Sequence, residues 1–65
     1  MTIIDDLKAI NKDIAKAKNK KWQVIRTKYW ITRLTNVYPD YDFFGVTDTM
    51  TEDYIIIYRV KGTIL

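Results

Sequence analysis

The stretch Lys21–Leu34, KWQVIRTKYWITRL, decides the fold, because it fits two structures. Trp22, Val24, Ile25, Thr27, Tyr29, Trp30, Ile31 and Thr32 are all residues that favour strands. Neither alternating face is clean, since Trp22, Val24 and Trp30 share one with Arg26 and Lys28. Val24, Thr27, Ile31, Leu34 and Tyr38 also fall at helical spacing. The dominance of β-branched and aromatic side chains tips the reading to a long, bulged strand, with a second helix as the competing assignment.

Upstream the pattern has one reading. Ile3, Leu7, Ile10, Ile14 and Ala17 recur at steps of four and three, which is one face of an amphipathic helix over about residues 2–18. Thr2 is placed to cap it, with Asp5 in the capping-box position three residues on. Asp5 and Asp6 in the first turn, and Lys16 and Lys18 in the last, suit the helix dipole. Asn19 follows as a residue that tolerates the left-handed conformation at a helix C-terminus.

Downstream, residues 36–41 contain Pro39 and read as a loop. Residues 42–49 read as a strand, residues 50–53 as a connection of hairpin length, and Tyr54–Val60 as a further strand. Lys61-Gly62 punctuates, and Thr63-Ile64-Leu65 trails. The expected fold is α+β: an N-terminal amphipathic helix packed on a three-stranded antiparallel β-meander. The alternative is a helical hairpin followed by a β-hairpin. Residues 1–65 form one small domain in either case. On the last strand Ile55 and Ile57 share one face, and Tyr54, Ile56, Tyr58 and Val60 the other. One helix covers one sheet face, so apolar surface is left over. Tyr54, Ile56 and Tyr58 are the candidate sheet-face interface.

Sixty-five residues bury only about 60% of the surface that the unfolded chain exposes. The chain has no Cys and no His, so neither disulfides nor a zinc site is expected to reinforce it. Dense packing of a 48% hydrophobic composition, or a homodimer, remains. No apolar run approaches a bilayer span and the N-terminus does not resemble a signal peptide, so a cytoplasmic protein without membrane contact is expected. Heavy use of Ile, Lys and Tyr, which have AT-rich codons, hints at an AT-rich genome, a phage or a mobile element.

The catalytic inventory is thin. Without Ser, His or Cys, the usual nucleophile–base pairs cannot be assembled, and no enzyme is expected. Thr2 would become an N-terminal nucleophile if Met1 were removed, but helix capping explains it better. Asp40-Tyr41-Asp42 with Gly45 resembles the start of a calcium loop, yet Phe44 and Thr51 stand where ligands are needed. Asp48, Glu52 and Asp53 read as solvated turn residues. With only two glycines there is no phosphate-binding loop, and no cofactor or metal is expected.

Charge carries the functional signal. Lys8, Lys12, Lys16, Lys18, Lys20, Lys21, Arg26, Lys28 and Arg33 face a single acid, Asp13, within residues 8–33, a balance of +8 inside a net +3. Lys8, Lys12, Lys16 and Lys20 recur every four residues, a ridge that mildly destabilises its own helix. Lys8, Lys12, Lys16, Lys20, Lys21, Arg26, Lys28 and Arg33 are therefore the candidate contacts to nucleic acid or to an acidic protein surface. Trp22, Tyr29 and Trp30, interleaved among them, are candidates to stack on unpaired bases. The expected function is a non-enzymatic module that binds nucleic acid through the basic helix ridge and the strand after it. The competing class is a protein–protein interaction module, such as a small phage-type inhibitor or adaptor that docks on a host protein and blocks its nucleic-acid-binding channel. A plain solvated face also accounts for the lysines.

Overall fold

A computed structural model describes residues 2–62. Two helices, α1 (Ile3–Lys16) and α2 (Lys20–Val37), precede two strands, β1 (Tyr41–Thr47) and β2 (Tyr54–Val60). The mixed α+β class stands, but the sheet is a two-stranded antiparallel hairpin and not a three-stranded meander. Lys21–Leu34 is helical, so the competing assignment is the observed one. Thr63, Ile64 and Leu65 lie outside the described residues.

The β-branched residues of α2 are accommodated for local reasons. Thr27, Thr32 and Thr35 each donate a hydroxyl hydrogen bond to the carbonyl four residues back, at 2.8, 3.1 and 2.8 Å. Thr27, Leu34 and Gln23 are buried against the sheet, so tertiary burial outweighs the strand propensity of the segment. Asn19 is the N-cap of α2: at φ −102° it is extended rather than left-handed, and its carboxamide accepts from Lys21 N at 2.7 Å. The chain runs directly from one helix into the next and has no need of a left-handed stop. Thr2 caps α1 as its spacing indicates, accepting from Asp5 N at 3.3 Å.

The strands pair with Phe43 opposite Tyr58, Gly45 opposite Ile56 and Thr47 opposite Tyr54. These residues point to the helices. Phe43 and Ile56 join Leu7, Ile10, Ile14 and Leu34 in the core. Gly45 is required here by close approach: a Cβ on it would lie 2.6 Å from Thr27 Cγ2. The hairpin loop closes with Asp48 N donating to Asp53 O at 2.8 Å, and Glu52 takes a left-handed φ of 63°.

The helices are tied to each other at both ends. Asp13 accepts from Trp30 Nε1 at 3.1 Å, while its backbone carbonyl accepts from Arg26 Nη1 at 2.7 Å. At the other end the Tyr38 hydroxyl donates to Asp6. That hydrogen bond, reinforced by burial and by the Asp6 charge, holds the Tyr38 phenol above its ordinary pKa of 10.0.

Candidate nucleic-acid interface

No acidic residue occurs in α2, which carries Lys20, Lys21, Arg26, Lys28 and Arg33. Its apolar residues surround the axis. Leu34, Thr27 and Ile31 are spent on the sheet and core, and Trp22, Ile25 and Tyr29 remain on the outside. Trp22 is 57% exposed and Tyr29 54%. Seven positions separate them, which is two helical turns, or about 10 Å along one face. The Arg33 guanidinium lies 5.5 Å from the centre of the Tyr29 ring. Arg26 and Lys18 flank Trp22 in a shallow depression beside the interhelical turn. The arrangement is an aromatic pair on a helix whose own charged residues are all basic, with Asp13 of α1 reaching Arg26 beside Trp22.

The eight basic candidates do not form one surface. Lys8 and Lys12 of α1 border a groove toward β2, lined also by Asn11, Thr51, Asp53 and Ile55. Lys28 lines a separate groove toward β1. Arg26 is partly spent on Asp13, at 3.6 Å between charged atoms. Lys20 lies 5.7 Å from the centre of the Tyr54 ring. Lys16 is at the end of α1. The segment read as a basic strand is the basic helix α2. Of the three interleaved aromatics, Trp30 is withdrawn: it packs on the core and bonds Asp13.

The sheet-face candidates are also redistributed. Ile56 is 2% exposed and Tyr54 packs against the core, because these residues and Tyr58 occupy the face that the helices cover. The uncovered face carries Phe44, Val46, Ile55 and Ile57, with Arg59 bonded to Asp42 at 3.4 Å and placed over the Phe44 ring. The calcium-loop resemblance dissolves in the same way. Asp42 is a strand residue paired with Arg59, and Asp40 accepts from Lys61 N through its backbone. Among the described residues no group of three or more His, Cys, Asp or Glu could hold a metal ion. Nor is any helix among them long and apolar enough to cross a membrane.

No protein-family model, curated protein or solved structure matches this chain.

Two residues outside the sequence-based candidates are central to the architecture. Asn11 and Gln23 are amides on helix faces, and both engage the backbone of β2. Asn11 accepts from Ile56 N at 2.8 Å and donates to Ile56 O at 3.3 Å. Gln23, only 3% exposed, accepts from Tyr54 N at 3.2 Å and donates to Ala17 O and Asp53, each at 2.9 Å. The available signal was Asn11 at four residues from Leu7 and three from Ile14, next to the apolar stripe.

Proposed function

We propose that this protein is a non-enzymatic module that binds single-stranded nucleic acid through the outer face of α2. Trp22 and Tyr29 stack on unpaired bases, and Lys21 and Arg33 contact phosphates. One observation carries the reading: two large aromatics stand exposed, two turns apart, on a helix with five basic residues and no acid. Large apolar rings left exposed together on one face mark an interaction surface. Base–aromatic stacking contributes about 1–3 kcal/mol per base and tolerates any sequence. The basic residues supply a term that weakens steeply with salt. The absence of Ser, His and Cys supports a binding role over a catalytic one.

The test is fluorescence anisotropy with short random single- and double-stranded DNA and RNA at about 50 and 200 mM salt. Wild-type protein binds single strands at micromolar or tighter affinity at low salt and loses most of it at high salt. Trp22→Ala and Tyr29→Ala each weaken single-strand binding roughly 5- to 100-fold, in line with the loss of one stacked base. Lys21→Glu with Arg33→Glu weakens single- and double-strand binding alike. Absence of binding at low salt, or aromatic variants that bind as the wild type does, would sink the reading.

A further inference from the structure

The two edges of the sheet are treated differently. Interstrand bonds join the even-numbered residues of β1 to β2, in phase with the Asp48–Asp53 and Asp40–Lys61 bonds at either end. Tyr54, Ile56 and Tyr58 therefore turn their backbone groups outward on β2. Asn11 and Gln23 cap that edge, serving Ile56 and Tyr54 as a neighbouring strand would. On β1 the outward residues, beyond Tyr41 whose N–H donates to Tyr38 O, are Phe43, Gly45 and Thr47. Among the described residues, their N–H and C=O groups have no hydrogen-bond partner. Gly45 and Thr47 are exposed. Edges are ordinarily blunted with Lys, Pro or a bulge, and Tyr41–Thr47 contains neither Lys nor Pro and pairs without interruption.

Beside that edge runs a groove of about 240 Å³ lined by Val24, Thr27, Lys28 and Ile31 of α2, with Gly45 and Tyr54. A strand beside a helix, with a free edge between, is the geometry of strand addition. We propose that the β1 edge and the α2 wall form a binding site for an extended peptide segment that alternates acidic and apolar residues. Its backbone pairs with Phe43, Gly45 and Thr47. Its acidic side chains turn into the groove, their aliphatic stems on Val24 and Ile31 and their carboxylates at Lys28. Its apolar side chains lie on the uncovered face beside Phe44 and Val46, extending that surface. No acid lines the groove.

Charge disfavours a second copy of this chain as the occupant. Antiparallel self-pairing centred on Gly45 sets Asp42 of one copy opposite Asp48 of the other, and both copies bring Lys28 to the seam. This site is distinct from the α2 outer face, so it stands or falls independently of nucleic-acid binding.

The probe is a capped seven-residue peptide alternating glutamate with valine, beside the same peptide with lysine for glutamate. The full chain is titrated with each while its backbone amides are followed by NMR and hydrogen exchange. The glutamate peptide saturates and protects the Phe43, Gly45 and Thr47 amides; the lysine peptide does not. Lys28→Glu weakens the glutamate peptide roughly fivefold to tenfold, the scale of reversing one partly exposed charge pair. Thr47→Pro, which removes an outward N–H and no interstrand bond, weakens it too, with wild-type circular dichroism confirming the fold. Four results would overturn the proposal: no binding of the glutamate peptide, equal binding of the lysine peptide, protection confined to other amides, or a concentration-dependent dimer that protects the same three.

Discussion

Asn11, on α1, makes with Ile56 the pair of hydrogen bonds that a neighbouring strand would make, one to the N–H at 2.8 Å and one to the C=O at 3.3 Å. A helix side chain thus ends the sheet. The consequence is measurable: Asn11→Ala leaves two part-buried backbone groups without partners and lowers stability by about 1–3 kcal/mol in urea unfolding. Asn11→Asp costs at least as much, because its carboxylate faces the Ile56 carbonyl with no proton to donate.

Gly45 and Thr27 form a second pair that neither residue explains alone. Gly45→Ala pushes a methyl into Thr27 Cγ2, and Thr27 is held by its bond to Gln23 O. The expected loss is about 1–3 kcal/mol, the range for overpacking. Thr27→Ser keeps the hydroxyl and removes the opposing methyl. In the double variant the penalty of Gly45→Ala shrinks, giving a coupling on the order of 1 kcal/mol in a double-mutant cycle. Strict additivity would show that the contact does not limit position 45.

Tyr38 donates to Asp6, and its folded pKa lies above the ordinary 10.0. The protonated phenol is the form that the fold favours. Its contribution is therefore complete below pH 10.0 and is lost as pH rises through the folded value, where a phenolate faces the Asp6 carboxylate. Stability measured across the alkaline range should fall more steeply for wild type than for Tyr38→Phe. Identical slopes would assign the alkaline loss to other groups.

Asp13 is the one acid between the helices' basic rows, and it engages Arg26 and Trp30 together. Asp13→Asn retains an acceptor for Trp30 Nε1 and frees the Arg26 charge. Both charged side chains are about two-fifths exposed, so the cost is below about 1 kcal/mol. Affinity for single-stranded nucleic acid rises, and the slope of affinity against salt steepens by about one released counterion. Unchanged affinity in this variant would place the phosphate path away from Arg26.

Several elements are legible in the sequence alone. Thr2, Asp5 and the Ile3–Ala17 periodicity specify α1 locally, since cap, dipole and apolar stripe agree. Tyr54–Val60 coincides with β2, because a run of β-branched and aromatic residues between polar turns has one reading. The excess of basic over acidic groups in residues 8–33 needs no structure at all. The class of the fold follows from these, as do the missing side chains of common catalytic pairs.

Tertiary structure decided the rest. Lys21–Leu34 carries apolar residues on every side, so its periodicity cannot choose between helix and strand. The choice rests on the burial of Thr27 and Leu34 against the sheet and core and on Gln23, which is buried only because the hairpin supplies Tyr54 N and Asp53 as partners. The same packing selects which aromatics are spent and which stay exposed: Trp30 on Asp13, Trp22 and Tyr29 outside. It also reverses the expected sheet face, because alternation separates Ile55 and Ile57 from Tyr54, Ile56 and Tyr58 but does not say which set meets the helices. Local patterns encode elements. The covering of a face or an edge depends on groups far apart in the chain, and Asn11 reaching Ile56 is the plainest instance.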